Sequence, residues 1–376
     1  MLYLDHAAGG PVRREVLEAM APFLTGRFGN PSSVHTVGED VAGALEDARR
    51  RTATVLGMRA GDIVFTSGGT EANNLAIAGI ALGARGRTPG HIVTTAVEHD
   101  SVLAVCRHLE RIHGYEVDVL PVDAAGRVTP DAVARAVRDD TAVVSVGYAN
   151  NEVGTVQDVA AIARALPSVP LHVDAVQAAG WLPLSGTGAS ALSIAGHKIG
   201  APQGIGVLGV RGRLPLEPVL HGGGQERGRR SGTQNVAGAV GLAVALELAE
   251  RERHDAVARA TAARDAFTAR VLDTVSGARV TGDPDRRLPG LASFTFAATS
   301  GEAVLLELER RGIVTSSGSA CAAGSDEPSH VLTAMGMHPD DARTAVRFSF
   351  DRTAPPDASA LAGAVADAVS AVRSGS

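Results

Sequence analysis

Between about residues 35 and 210 short apolar runs alternate with helical patterns, and nothing else in the chain limits its fold as tightly. Val37, Val41, Leu45, Ala48 and Val55 recur along one helix face, and Gly57 can end that helix. An apolar strand over 62–66, the turn Ser67-Gly68-Gly69 and a helix from Thr70 follow. Further strands are expected at 91–96, 116–122, 141–149, 171–176, 191–195 and 206–210. Helices lie between several of them, one opening at Thr129-Pro130 with an N-cap and a proline in the first helical position. Strands apolar on both faces and separated by helices predict an α/β fold with a mostly parallel sheet covered on both sides.

The pattern changes after about residue 235. A long helical stretch runs from 236 to about 275, and strands are expected at 278–281 and 291–296. A helix over 300–311, a strand over 313–317, a Gly/Ser/Ala-rich loop, a strand over 345–350 and an alanine-rich helical tail over 357–373 complete the chain. This part reads as a smaller α+β domain. We expect a large domain over 15–250, and a small one formed by 1–14 with 251–376.

Composition excludes several functions. A net charge of -6 gives no general attraction to nucleic acid or acidic membranes, and the basic run Arg227-Gly228-Arg229-Arg230 is too short to serve as a footprint. The longest charge-free apolar run, 236–246, is too short to span a bilayer, and the N-terminus lacks the pattern of a signal peptide. Two cysteines, Cys106 and Cys321, cannot build a disulfide framework, so a cytoplasmic location is expected. The twelve histidines show no ligand-type spacing with cysteines or carboxylates, so no metal is expected.

Of the 35 basic residues one is lysine, Lys198, and the rest are arginine. A strong genomic preference for arginine accounts for the bias. Arginine cannot lose its proton and form an imine with an aldehyde, whereas lysine can. Lys198 ends the segment Ser193-Ile194-Ala195-Gly196-His197-Lys198, just past a strand and among small residues, a setting that suits a reactive amine. The plainer reading is a surface lysine on a loop.

Three other segments invite the same comparison. Ser67-Gly68-Gly69-Thr70-Glu71-Ala72-Asn73-Asn74 sits between a strand and a helix, where it is either an anion cradle or an ordinary turn. In Leu171-His172-Val173-Asp174-Ala175-Val176-Gln177 the acid ends a buried strand, where α/β sheets bind ligands. Asp174 either holds a proton on a pyridine nitrogen or caps the next element. Cys321 stands in a loop of small polar residues, which suits a reactive thiol, whereas Cys106 has the large neighbours of a buried structural one.

Taken together the chain resembles the cysteine desulfurases of the class V aminotransferase group, fold-type I pyridoxal-phosphate enzymes. The matching motifs are Leu4-Asp5-His6-Ala7-Ala8, Phe28-Gly29-Asn30-Pro31, residues 66–74, Val97-Glu98-His99 and Asn150-Asn151-Glu152-Val153-Gly154. They continue with His172-Val173-Asp174, Gly196-His197-Lys198, Arg230-Ser231-Gly232-Thr233, Ser319-Ala320-Cys321 and Arg347-Phe348-Ser349. Each motif alone is weak, and their occurrence in order is specific.

The resemblance implies a seven-stranded, mostly parallel sheet, pyridoxal 5'-phosphate as cofactor and L-cysteine as substrate. Lys198 would hold the cofactor as an imine and move the Cα proton. His99 would stack on the ring and help with proton transfer, and Asp174 would pair with the ring nitrogen. Gln177 and Asn151 would bond the phenolic oxygen or the substrate carboxylate. Gly69, Thr70 and His197 would bind phosphate, with Thr233 reaching in from a second subunit of a homodimer. Arg347 would grip the substrate carboxylate. Cys321 would take the sulfur as a persulfide for delivery to an acceptor protein, as in the branch that feeds iron–sulfur cluster assembly and tRNA thiolation. Three positions depart from the family pattern: Gly9-Gly10 replaces a Thr-Thr pair, Ala195 a phosphate-binding serine, and Phe350-Asp351 a Leu-Gly.

Other reactions of the same cofactor, those of a selenocysteine lyase, β-lyase or epimerase, would also use Lys198 and Asp174. Cys321 favours sulfur transfer over them. A non-catalytic scaffold of a sulfur pathway would have no need of the full set of Lys198, His99, Asp174 and Cys321.

Overall fold

The computed structural model describes residues 1–84, 90–212, 214–318, 327–353 and 355–375. The chain opens with a short strand β1 (Leu2–Tyr3) and helices α1 (Arg14–Leu24) and α2 (Thr36–Leu56). The α/β part follows as β2 (Ile63–Thr66), α3 (Gly69–Gly83), β3 (His91–Thr95), α4 (Asp100–His113), β4 (Glu116–Leu120), α5 (Pro130–Ala136) and β5 (Thr141–Gly147). It continues with α6 (Val159–Ala165), β6 (Leu171–Asp174), β7 (Ala191–Ala195) and β8 (Gly206–Val210). The long helix α7 (Val236–Thr274) leads to β9 (Ala278–Val280), β10 (Leu291–Phe296), α8 (Gly301–Arg310) and β11 (Ile313–Val314). Last come α9 (His330–Ala334), α10 (Pro339–Ala342), β12 (Ala345–Ser349) and α11 (Ala358–Ser374).

The expected sheet is present. Seven strands pair in the order β2-β8-β7-β6-β5-β3-β4, parallel except at β8, which runs against both neighbours. Ile80, Leu109, Val143 and Leu208 pack in the apolar cluster under α3 and α4. Leu45, Leu56, Val146, Ile194 and Leu242 belong to the larger cluster under α2 and the first half of α7. Both faces are thus covered, which explains the continuous apolar strands.

A three-stranded antiparallel sheet, β12-β10-β9, carries a separate aromatic core. Phe267 of α7 meets Phe294 and Phe348 edge-on, with ring centres 5.6 and 5.1 Å apart. The N-terminus joins this part of the molecule: β1 pairs in parallel with β11, and Asp5 bridges to Ser349.

Several strands end earlier than the apolar pattern suggested. The main sheet closes at Thr95, Gly147 and Asp174, where the chain turns to place polar side chains above the strand ends. The strand expected over 313–317 pairs at 313–314, after which Ser316 bridges to Arg347. β4 is an edge strand with mostly exposed or half-buried residues. Three helices, α2, α4 and α10, are capped by histidine rings, those of His35, His99 and His338. Histidine is outside the usual capping set, so the caps themselves carry no ordinary sequence signal.

Candidate active site

Above the C-terminal ends of the parallel strands lies a cavity of about 800 Å³. Among its lining residues are Gly69, Thr70, His99, Asn151, Asp174 and Gln177, together with His197, Lys198 and Arg347. Residues spread over most of the sequence meet here because successive strands deliver their ends to one edge of the sheet.

Lys198 follows β7 in a single tight turn that Gly196 opens. Its Nζ donates to the carbonyl oxygens of Ala7 and Ala8, at 2.5 and 2.9 Å. Gln177 Nε2 donates to the same Ala7 oxygen at 2.9 Å. The N-terminal segment thus closes one side of the cavity, through residues that no argument from spacing marked. His197, next to Lys198, has its pKa pushed down to about 4, first by burial and then by the lysine's charge.

Asp174 is the last residue of β6 and is nearly buried. Its Oδ1 accepts the Val176 backbone N–H at 3.0 Å and its Oδ2 accepts Asn73 Nδ2 at 2.7 Å. Asn73 Nδ2 also donates to Ser101 Oγ at 2.9 Å, and that hydroxyl lies 2.8 Å from Nδ1 of His99. The Ser101 backbone N–H reaches the same ring nitrogen at 3.1 Å, which makes His99 the cap of α4. Asp174 and His99 therefore belong to one hydrogen-bonded chain, and its middle members, Asn73 and Ser101, went unassigned from sequence.

At the start of α3 no side chain caps the first turn, so Gly69 and Thr70 bring free helix-end character to the cavity wall. The strand–helix junction is tight. A Cβ on Gly206 would come within 2.6 Å of the Gly68 carbonyl carbon, and one on Gly69 within 2.7 Å of Val176 Cγ2.

Two buried acids also reach the cavity. Burial pushes the Glu98 carboxyl up to about 7, and the charge of Asp174 adds to this. Thr95 Oγ1, 2.6 Å away, and the Gly147 backbone oppose the rise. Glu152, its pKa raised by burial, accepts Ser329 Oγ at 2.5 Å, while His330 Nε2 donates to the Glu98 carbonyl oxygen at 2.9 Å. The guanidinium of Arg347 is buried beside them. It donates from Nη2 to Asp5 Oδ1 at 2.5 Å, and from Nη1 to the carbonyl oxygens of Asn151 and Gly318 at 2.8 and 3.3 Å. The guanidinium that the resemblance assigns to the substrate carboxylate is thus paired with Asp5 in this structure.

Two further residues named from the resemblance are not among those lining this cavity. Thr233, expected to serve the cavity of a second subunit, is exposed and does not line that of its own chain. Cys321 lies outside the described residues, although Gly318 and Glu327 on either side of its segment both line the cavity. Cys106 is buried in α4, as expected of a structural thiol, and its pKa is pushed up to about 12 by burial.

Residues 2–357 match the family model described as aminotransferase class-V. A cysteine desulfurase of Gluconacetobacter diazotrophicus is 46% identical over 357 residues, covering 93% of this chain and 88% of that protein. A solved structure of a NifS-like protein superposes with a TM-score of 0.90 at 33% identity, covering 98% of this chain and 99% of that one. That of SspA in complex with cysteine gives a TM-score of 0.82 at 36% identity, covering 93% and 98%. By this family match, and by identity sustained over nearly its whole length, the chain belongs to the class V aminotransferases and, within them, to the cysteine desulfurases.

Proposed function

We propose that this chain converts L-cysteine to L-alanine with pyridoxal 5'-phosphate and passes the sulfur to Cys321. The observation that carries the reading is the placement of the chain's one lysine in a cavity shared with Asp174, His99 and the start of α3. That donor set fits the cofactor: an amine for its aldehyde, a carboxylate for its ring nitrogen, an imidazole for its ring face and a helix end for its phosphate. Ala195 contributes no hydroxyl there, which leaves the phosphate to Gly69, Thr70, His197 and a partner's Thr233. Gln177 is assigned to the phenolic oxygen, and Asn151 and Arg347 to the substrate carboxylate.

Bound pyridoxal phosphate supplies the electron sink that lets the Cα–H bond of cysteine break and readies its sulfur to leave. Lys198 moves the Cα proton at Nζ. Asp174, fixed by Asn73 and the Val176 amide, holds a positive partner at its carboxylate. The Cys321 thiolate attacks the substrate sulfur, an S–S bond forms and the Cβ–S bond breaks. Its electron pair stays with carbon, which takes a proton and departs as alanine, while Cys321 keeps the persulfide.

The same reading extends to a homodimer in which Thr233 serves the neighbouring cavity, to delivery of sulfur to an acceptor protein, to work in the cytoplasm, and to the two-domain division at 15–250 and 1–14 with 251–376. Among the described residues no helix is long and apolar enough to cross a membrane. The deciding experiment is alanine release from L-cysteine by the wild type, Lys198→Ala and Cys321→Ser. Alanine from the wild type and none from either variant supports the proposal. Pyruvate as product, or full activity in Cys321→Ser, overturns it.

A further inference from the structure

The hydrogen bonds that join Asp174 to His99 have a direction, and it can be followed atom by atom. An ionised carboxylate only accepts, so the group that Asn73 turns toward Asp174 Oδ2, 2.7 Å away, is its amide NH2. The same Nδ2 donates its other hydrogen to Ser101 Oγ at 2.9 Å. With that lone pair engaged, the Ser101 hydroxyl hydrogen is left for the neighbour 2.8 Å away on its other side, Nδ1 of His99. The backbone N–H of Ser101 already points at this nitrogen from 3.1 Å. Nδ1 thus receives two donors and has no room for a proton of its own.

We propose that Ser101, oriented by Asn73, is a positioning residue that keeps Nδ1 of His99 an acceptor, so that the imidazole carries and exchanges its proton at Nε2. Asp174 sets this arrangement through the amide of Asn73. Asn73 Oδ1 has no partner among the described residues, as expected if the amide is held by its two donated bonds alone. The chain also explains why a histidine caps α4: capping is what fixes the ring nitrogen as an acceptor. The catalytic meaning of the arrangement rests on the role given to His99 above, whereas the tautomer itself does not.

Other charges surround the ring, namely Glu98 before it, Asp100 and Arg107 on α4, and Glu152, Asp174 and Lys198 across the cavity. The test therefore compares variants under one condition. Nitrogen-15 NMR of the cofactor-free protein at pH 8, with the His99 signals assigned by difference from His99→Gln, reads the tautomer directly. The wild type is expected to show a bare Nδ1 and a protonated Nε2. Ser101→Ala and Asn73→Ala are expected to let the Nδ1–H form appear, and Ser101→Thr, which keeps the hydroxyl, to restore the wild-type spectrum. In the loaded enzyme Ser101→Ala should lower kcat for alanine release about tenfold and leave KM within twofold, with Ser101→Thr close to wild type. A wild type protonated at Nδ1 overturns the proposal, as does a Ser101→Ala spectrum identical to wild type, which would leave the ring to the backbone N–H alone. If the spectra behave as expected and kcat does not change, the tautomer assignment stands and the role of His99 in the reaction fails.

Discussion

Arg347 and Asp5 form an ion pair at 2.5 Å across 342 residues of chain, with the guanidinium 2% exposed. Removing one member of a buried pair leaves the other charge without a counter-ion, and the penalty exceeds the net worth of the intact pair. Asp5 keeps some contact with water, which moderates the effect. Asp5→Ala is expected to lower the unfolding free energy by about 2–3 kcal/mol, and Asp5→Asn, which retains an acceptor, by about half of that. Urea denaturation of the three proteins at pH 7.5 checks this. Equal stability of all three would show that Asn151 and Gly318 hold the guanidinium by themselves.

Glu98 makes stability depend on pH in a set direction. Its carboxyl titrates at about 7 in the folded protein and near 4.5 when unfolded. A folded-state pKa above the unfolded one gives stability that is complete below about pH 4.5 and is lost as pH rises through about 7. Glu98→Gln has no charge to bury. It should match the wild type at pH 4.5 and exceed it at pH 8 by on the order of 3 kcal/mol. Thermal melts of both proteins across that range measure the difference. Parallel curves would mean that the carboxylate is ionised in the fold at little penalty.

How much of this site was legible in the sequence depends on how each residue is held. Lys198, Asp174 and Gly69 lie at or just past apolar strands, and strand ends in an α/β sheet are known places for ligands, so position made them candidates and the ordered family motifs decided between the functional and the plainer reading. Asn73 and Ser101 were hidden. Asn73 meets Asp174 across 101 residues and Ser101 across 28, contacts that exist only once the strand order is set. The start of α4 was obscured because its cap is a histidine. Arg347 stood out through its motif, but its partner Asp5 depends on β1 lying beside β11, and a two-residue strand has no periodicity to read.

Cys106 should be inert in the native state. A thiol 1% exposed whose pKa is pushed up to about 12 supplies almost no thiolate at pH 8. In the Cys321→Ser variant, maleimide is expected to leave the folded protein unlabelled over an hour and to modify one site after unfolding in guanidinium. Rapid labelling of that variant without denaturant would show that α4 opens locally.

Gly206 of β8 packs against the backbone of the turn that starts α3. An added methyl would meet Gly68 backbone, which cannot rotate away as a side chain can. Gly206→Ala is expected to reduce stability by about 2–3 kcal/mol. Because the strain falls on the turn that presents Gly69 and Thr70, it should also weaken pyridoxal phosphate binding severalfold, as measured by equilibrium dialysis. Unchanged affinity would separate the helix start from the cofactor.

The carbonyls of Ala7 and Ala8 that hold Lys198 are synthesised long before the strand that anchors their segment. The Ala7 N–H donates to Ser349 Oγ, 342 residues later. At ordinary elongation rates the Ala7 segment waits roughly 20–70 s for its partner strand to be made. During that interval the main sheet can fold while its amine still lacks one wall. Completion of the reactive centre therefore waits on synthesis of β12, and a nascent chain cut short before it would carry the lysine without the surroundings that hold it in place.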